Sequence, residues 1–334
     1  MAKALKPIKE KMVFTYLFDR LFKGYRSGDL EKIDVINYSF GVIEDGKVNL
    51  DRLSNIERVI GDAHDAGVRV VLSIGGWGAG NFSEAAATPQ ARKVFIESIV
   101  EAVKEHDFDG VDMDWEYPTT GVAGISSDPK DRENFTFLMK ELHEALKAID
   151  EELLVTAAVP AGNATKYYEV DKLNAYLDYL HIMTYDMSNM KKSTHHTNLF
   201  PSQFSEASVK EAVNDYVTAG FDKEKVIVGI AFYGHIFTKT SGIGKPAESK
   251  KSITYTKILD EYLNNDEYEI GYDENAKARY IFGNDTFISY EDAESIANKC
   301  KFVLDENLGG VMVWEYCQDD DKSTLVNAIF ENIV

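Results

Sequence analysis

Short runs of apolar and β-branched residues recur along this chain, separated by longer segments with helical spacing. Such alternation is typical of parallel strands joined by crossover helices. Eight runs are predicted to be strands: Met12–Leu17, Asp34–Phe40, Arg69–Ile74, Gly110–Trp115, Leu153–Val159, Tyr179–Thr184, Lys225–Phe232 and Gly310–Trp314. Eight strands with crossovers predict a (β/α)8 barrel, and a doubly wound open sheet is the alternative.

Two of the intervening segments show the i, i+3, i+4, i+7 spacing of an amphipathic helix most clearly. The second follows Asp128-Pro129, a pair typical of a helix start. The apolar positions are Ile96, Ile99, Val100 and Val103 in the first segment, and Leu138, Leu142, Ala145 and Ile149 in the second.

The stretch from Ile236 to Thr286 breaks this alternation and is too long for an ordinary loop. Its aromatic content argues against a disordered linker. We therefore predict a small α+β insertion between strand 7 and helix 7 of the barrel. The predicted division is residues 1–235 for the first part of the barrel, 236–286 for the insertion and 287–334 for the last part. The tyrosines of the insertion are Tyr255, Tyr262, Tyr268, Tyr272 and Tyr280.

Asp112, Asp114 and Glu116 occupy alternate positions in the fourth predicted strand, so their side chains share one face. Partial burial and mutual repulsion would raise the pKa of at least one of them. A carboxylic acid that keeps its proton near neutral pH can act as a general acid. A solvated acidic turn or a metal-binding loop is the alternative, which the interleaved apolar residues and the absence of neighbouring His or Cys disfavour.

The carboxyl ends of six other predicted strands carry aromatic residues, and in a (β/α)8 barrel these ends form the active site. Aromatic rings beside carboxylates suit sugars, whose C–H faces pack on rings while their hydroxyls bind acids. The segments concerned contain Tyr16, Tyr38 and Phe40, Ser73-Ile74-Gly75-Gly76-Trp77, Met183-Thr184-Tyr185-Asp186, Phe232-Tyr233-Gly234 and Trp314-Glu315-Tyr316.

The histidines and the glycine pair do not indicate a metal or phosphate site. His181 is predicted to be an interior histidine of the sixth strand, and His195 and His196 are predicted to form surface hydrogen bonds in a polar loop. Gly75-Gly76 lacks a phosphate-loop context and predicts a tight turn that lets substrate approach the backbone.

Composition narrows the possible partners. Lys and Arg number 36 against 56 Asp and Glu, and the net charge of −20 disfavours nucleic acid and anionic lipid. Cys300 and Cys317 lack ligand-type spacing, so no metal and no disulfide framework is expected. No apolar run predicts a membrane span. The first residues, Met-Ala-Lys-Ala-Leu-Lys-Pro, lack the apolar core of a secretion signal, which leaves the compartment open.

The pattern Asp109-x-x-Asp112-x-Asp114-x-Glu116 resembles the signature of the family-18 glycoside hydrolases, the chitinases. Four further segments are similar to this family at the expected barrel positions, and the resemblance extends from Met12 to about Asp320. The insertion also looks like the subdomain of one branch of these chitinases. The segments are Ser73–Trp77, Met183–Asp186, Phe232–Gly234 and Gly309–Trp314.

The resemblance implies hydrolysis of β-1,4 N-acetylglucosamine linkages with retention, in which the substrate's own 2-acetamido oxygen attacks and forms an oxazolinium ion. Glu116 would be the acid and base, Asp114 would bind the acetamido N–H, Asp112 would share a proton with Asp114 with help from Ser73, and Tyr185 would donate to the acetamido oxygen. The implied substrate contacts are Tyr16, Phe40, Ser73, Gly76, Trp77, Tyr117, Met183, Asp186, Tyr233 and Trp314. No cofactor is implied. The implied partner is chitin or a chito-oligosaccharide, a monomer is expected, and the family favours secretion.

Two departures from the family pattern are present. Many members carry Arg after Phe-Tyr-Gly, where this chain has His235. Others have Phe-His-Gly after Met-Thr-Tyr-Asp, where this chain has Met187-Ser188-Asn189. The sugar contacts on the leaving-group side are therefore expected to differ.

Two other functions stay open at this point. An endo-β-N-acetylglucosaminidase acting on glycoprotein or cell-wall glycans would use the same acetamido chemistry. A sugar-binding lectin on a degenerate barrel is an alternative of another class, which the presence of Glu116 disfavours.

Overall fold

The computed structural model describes residues 5–205 and 207–333. The first four residues, which belong to the predicted first part of the barrel and to the N-terminal stretch assessed for a secretion signal, lie outside the described residues. The strands within the described part are β1 (Met12–Phe18), β2 (Val35–Glu44), β3 (Lys47–Asn49), β4 (Arg69–Gly75), β5 (Gly110–Asp114), β6 (Leu154–Pro160), β7 (Tyr179–Met183), β8 (Val226–Ala231), β9 (Tyr233–Thr238), β10 (Ser249–Thr254), β11 (Glu269–Asp273), β12 (Ala278–Gly283), β13 (Thr286–Tyr290) and β14 (Gly310–Trp314).

Helices connect most of these strands. The α-helices are α1 (Ile56–Asp65), α2 (Phe82–Ala86), α3 (Pro89–His106), α4 (Asp131–Lys147), α5 (Val170–Leu173), α6 (Val209–Thr218), α7 (Tyr255–Ile258), α8 (Ala293–Asp305) and α9 (Thr324–Asn332). Short 3-10 helices span Asp19–Gly24, Ser27–Lys32, Val122–Gly124, Thr165–Tyr167, Lys223–Lys225 and Tyr316–Gln318, and a π-helical turn spans Leu259–Leu263. Within the described residues, no helix has the length and apolar character needed to cross a bilayer.

Parallel strands close into a barrel. In the described residues the order is β1, β14, β8, β7, β6, β5, β4 and β2, and β2 pairs with β1 again. This closure confirms the predicted (β/α)8 barrel and shows that the open-sheet alternative is wrong. The connection between β1 and β2 contains 3-10 turns rather than an α-helix.

Alternation along the strands divides the core into two layers. On β1, Met12, Phe14 and Tyr16 point into the barrel, whereas Val13 and Leu17 pack in the layer between strands and helices. This period of two places every second strand residue on the barrel axis. The acidic residues of β5 follow the same alternation. Asp112 and Asp114, together with Glu116 just after the strand, form an acidic column that runs towards the carboxyl ends of the strands.

The two predicted helices, α3 and α4, are present at the predicted positions, but α4 ends earlier than predicted. The helix α3 begins behind Thr88, whose side chain accepts from the Ala91 N–H at 3.1 Å, and Pro89 occupies the first turn. The helix α4 ends at Lys147, so Ile149, predicted as its last apolar position, lies beyond the helix and is exposed.

A second, antiparallel sheet lies between the seventh and eighth barrel strands of the chain. Its order is β10, β9, β13, β12 and β11. The predicted limits of the insertion, 236 and 286, fall inside β9 and on the first residue of β13. The chain passes from β8 to β9 with one residue between them, because the aromatic segment after β8 pairs in the new sheet at once. The three-part division of the chain stays a prediction.

Candidate active site

The three acids of the column lie at different depths. Asp112 and Asp114 are on β5, and Glu116 follows two residues after the strand ends. Asp112 is fully buried, whereas Asp114 and Glu116 line a large cleft at the carboxyl ends of the barrel strands. A ligand in the cleft can therefore meet Asp114 and Glu116 but not Asp112.

Hydroxyl groups hold Asp112 in place. Ser73 Oγ donates to Asp112 Oδ2 at 2.7 Å, and Thr156 Oγ1 donates to Oδ1 at 2.7 Å. Tyr16 Oη donates to Oδ2 at 2.9 Å and also lies 3.0 Å from His181 Nδ1. A carboxyl group accepts several hydrogen bonds, and donors from three strands fix the orientation of this one. Asp112 is therefore held rigidly beneath Asp114.

Asp114 differs from Asp112 in its hydrogen bonding. Burial raises the pKa of Asp114 well above its usual range, and the charges of Glu116 and Asp112 raise it further. Its Oδ1 atom is buried and has no hydrogen-bond partner among the described residues. Buried polar atoms normally have a partner, so this oxygen is available to a ligand group that donates.

Glu116 is suited to hold a proton near neutral pH. Burial raises its pKa to about 7, the charge of Asp186 adds to this effect, and a hydrogen bond from Tyr117 opposes it. Because Glu116 and Asp114 interact, their protons leave as a coupled pair. A carboxyl group with a pKa near the working pH can give and take a proton efficiently.

We expect the Glu116→Gln variant to gain stability over the parent protein as the pH rises. The carboxyl has an ordinary pKa of 4.5 when unfolded and about 7 when folded. The folded state therefore binds the proton more tightly, and the parent loses stability as the pH rises through this window. Glutamine avoids that loss, which amounts to at most about 3 kcal/mol.

Urea unfolding of both proteins at pH 5 and pH 8 measures this difference. Glu315, whose pKa burial also raises to about 7, is present in both proteins and cancels. A stability difference that does not change with pH would contradict the assigned environment of Glu116.

The cleft has a volume of ≈ 840 Å³. Most of the predicted substrate-contacting residues line it, but Ser73 and Tyr233 do not, because Ser73 lies beneath with Asp112 and Tyr233 lies behind Asp186. The predicted residues that line the cleft are Tyr16, Phe40, Gly76, Trp77, Asp114, Glu116, Tyr117, Met183, Tyr185, Asp186 and Trp314.

Trp314 lines the cleft and packs among other rings. Phe40 stacks with it at 5.6 Å between ring centroids and an interplanar angle of 26°. Tyr16 and Phe18 meet it edge-on or tilted at 5.8 and 6.0 Å. Packing from several sides fixes the indole plane, and a fixed aromatic face is a good surface for a sugar ring.

The glycine pair at the end of β4 is a close-packed turn. Gly76 has φ +88°, and a Cβ atom there would lie 2.7 Å from the Phe40 ring. The next residue, Trp77, has 67% of its surface exposed at the rim of the cleft and lies 6.5 Å from the Tyr117 ring. The turn therefore brings the backbone close to Phe40 and presents Trp77 to a ligand.

Tyr185 and Asp186 follow β7 and line the same cleft as Asp114 and Glu116. The Tyr185 hydroxyl lies 3.7 Å from Met312 Sδ, a weak acceptor, so it can donate to a ligand. Asp186 accepts from Tyr233 Oη at 2.7 Å and pairs with His235 Nε2 at 2.8 Å. Burial alone would raise the Asp186 pKa, but the bonds from His235 and Tyr233 outweigh it and lower this pKa.

The burial of two of the three histidines differs from the sequence prediction. His181 is interior, as predicted. His195 and His196, predicted to form hydrogen bonds at the surface, are both fully buried, and that prediction is wrong. Their loop lies beneath the second sheet, where His195 pairs with Asp273 at 3.2 Å and the His196 ring packs 4.5 Å from that of His235.

Several cleft residues were not predicted. Phe18 could have been found by extending the first strand by one residue. The others lie at the ends of strands, in a 3-10 helix or in loops, and reach the cleft only through tertiary packing. They include Asp19, Arg20, Glu44, Arg52, Asn81, Pro160, Ala161 and Met187.

The barrel, with its acidic column and aromatic cleft, defines the class of protein. The model of the glycosyl hydrolases family 18 matches residues 15–319, and the chain belongs to this family. It is 31% identical over 313 residues to Chitinase A1 of Niallia circulans, covering 84% of this chain and 44% of that protein. It is 34% identical over 284 residues to Chitotriosidase-1 of Mus musculus, covering 78% of this chain and 60% of that protein. The chain thus spans about half the length of these two relatives.

Solved structures agree with the fold. A family 18 N-acetylglucosaminidase from Paenibacillus barengoltzii superposes with a TM-score of 0.92 at 35% identity, covering 96% of this chain and 99% of that one. Chitinase ChiW from Paenibacillus sp. str. FPU-7 superposes with a TM-score of 0.90 at 33% identity, covering 96% of this chain and 42% of that one.

Proposed function

We propose that this chain hydrolyses β-1,4 linkages between N-acetylglucosamine units in chitin and chito-oligosaccharides, with retention of configuration. One observation carries the proposal: Asp114 and Glu116, both with raised pKa values, line the same cleft as the Trp314 ring. The names of the chitinase and N-acetylglucosaminidase relatives support the same substrate class.

The first step of the proposed mechanism breaks the glycosidic bond. Glu116 gives its proton to the leaving oxygen, while the 2-acetamido oxygen of the sugar attacks the anomeric carbon and forms a cyclic oxazolinium ion. The sugar lies on Trp314, and Tyr185 donates to the acetamido oxygen, which fixes the attack geometry. No protein carboxylate forms a bond to the sugar, in contrast to the common retaining scheme.

The acidic column then stabilises the positive charge of the ring. The free Oδ1 of Asp114 accepts the acetamido N–H, and Asp112, held by the hydrogen bond from Ser73, lies beneath it. Preorganised groups of this kind stabilise developing charge more effectively than water does. The ionised Glu116 next removes a proton from a water molecule that opens the oxazolinium ion, and it recovers its own proton.

A substrate comparison tests the proposed specificity. N-acetylglucosamine oligomers of defined length and a glycopeptide with an N-linked glycan are incubated with the protein at equal concentrations. We expect cleavage of the oligomers and no release of glycan from the peptide. Cleavage of the glycopeptide alone would favour the endo-β-N-acetylglucosaminidase, and tight binding without cleavage of either would favour a lectin.

A further inference from the structure

A group of metal-type ligands lies beside the cleft, at the junction between the barrel and the second sheet. Asp186 follows β7, His196 lies in the loop after it, and His235 is on β9. One ligand atom from each of the three residues lies within 4.8 Å of the other two. We refer to Asp186, His196 and His235 as the His-His-Asp cluster.

The contacts of His235 allow its Nε2 atom to act as a metal ligand. Lys250 Nζ donates to Ser188 Oγ at 3.1 Å, and Ser188 Oγ lies 2.6 Å from His235 Nδ1. Ser188 can either accept the Nδ1–H of His235 or donate to Nδ1, so this contact allows both tautomers of the ring. Nε2 lies 2.8 Å from a carboxylate oxygen of Asp186. In the tautomer with its proton on Nδ1, Nε2 carries the lone pair that a metal ion requires.

His196 provides a second, independent indication. Its ring is fully buried, and neither ring nitrogen has a hydrogen-bond partner among the described residues. The ring packs at 33° to that of His235, with 4.5 Å between centroids. A buried imidazole without a partner is unusual, and an ion is one of the few explanations for it.

We propose that the His-His-Asp cluster binds a divalent transition-metal ion, with zinc as the best match. Two imidazoles and one carboxylate are a common ligand set for zinc, and the exposed side of Asp186 leaves a fourth position towards the cleft. Ser188 is the outer partner that a ligating histidine usually has. The charge of Lys250 opposes a cation here, whereas the Asp186 carboxylate and the net charge of −20 favour one.

A bound ion would also change the cleft. Asp186 lines the cleft next to Tyr185, and an ion bound to its carboxylate would make that carboxylate less available to a bound sugar. The same ion would hold His235, the residue that replaces the arginine of many family members. Zinc is therefore expected to inhibit turnover of chito-oligosaccharides, and a chelator is expected to restore it.

Metal binding itself is the primary test, and it does not depend on the proposed function. The chelator-treated protein is titrated with Zn²⁺ by calorimetry and with Co²⁺ by visible absorption, in the absence of sugar. We expect one ion per chain and the intense absorption of four-coordinate Co²⁺. His196→Gln and His235→Gln each remove one ligand, so each is expected to weaken binding by about 100-fold or more.

Two control variants define the location. His195→Gln changes the neighbouring buried histidine, which pairs with Asp273 instead, and His143→Gln changes a histidine on α4. Both are expected to bind zinc as the parent does, and circular dichroism and the melting temperature of each variant verify folding. Equal zinc affinity in the parent and in folded His196→Gln and His235→Gln, or no binding by the parent, would overturn the proposal.

Discussion

Replacing Glu116 with glutamine is expected to reduce kcat on N-acetylglucosamine oligomers by about 10³-fold or more, within the range that general acid–base catalysis supplies. The amide has nearly the same shape, but it can neither give a proton to the leaving oxygen nor take one from water. The loss corresponds to about 4 kcal/mol of transition-state stabilisation. Steady-state kinetics measures kcat, and calorimetry with an uncleaved oligomer measures binding.

Binding should be nearly unchanged in this variant, because the cleft rings and Asp114 stay in place. Glu97→Gln, which changes an exposed glutamate on α3, is the matched control and should keep the parent kcat. Turnover by Glu116→Gln within tenfold of the parent would remove Glu116 from the acid role.

Changes at Asp114 are expected to have the next largest effect. Asp114→Ala removes the acceptor oxygen, and we expect kcat to fall by about 10³-fold. Asp114→Asn keeps an acceptor oxygen, so its loss should be smaller, about 10²-fold. Because the contact strengthens as the oxazolinium ion forms, both losses should appear in kcat more than in KM.

Asp65→Asn, at an exposed position on α1, is the control for these variants. A thermal melt separates a catalytic loss from a folding defect. Removal of a buried acid with a raised pKa should not destabilise the protein at neutral pH. If Asp114→Ala raised KM and left kcat intact, Asp114 would be a ground-state contact only.

The barrel could be predicted from sequence because its strands are buried on both faces. The run Gly310–Trp314 corresponds to β14 at both ends, and the other barrel strands differ from their predictions by a few residues. Helix ends were less predictable. Ile149 continues the apolar spacing of α4, but the chain turns after Lys147 to enter β6, and local spacing carries no information about that turn.

The extent of the second sheet could not be predicted from the sequence. The break in the strand–helix alternation predicts an insertion, but strand β9 begins before the atypical stretch and strand β13 ends after it. Their pairing with each other joins residues about fifty positions apart, such as Phe237 and Phe287. Only this long-range register shows where the sheet begins, and a sequence pattern does not contain it.

Some features of the candidate site could also be predicted from the sequence, and others could not. Alternation predicted that Asp112, Asp114 and Glu116 share a face, and they do lie in one column. The polar loop that contains His195 and His196 was predicted to be exposed because its composition is typical of a surface loop. The second sheet covers it, and Tyr233 and His235 of β9 pack against the His196 ring. Burial of this kind depends on tertiary contacts rather than on local composition.

The anomeric configuration of the first product tests the central claim most directly, because attack by the acetamido group followed by water inverts the anomeric carbon twice. Chito-oligosaccharides of defined length are cleaved and the products are followed by proton NMR from the first minutes of the reaction. We predict that the new reducing end appears first as the β-anomer and then mutarotates. Initial appearance of the α-anomer would contradict substrate-assisted retention in this chain.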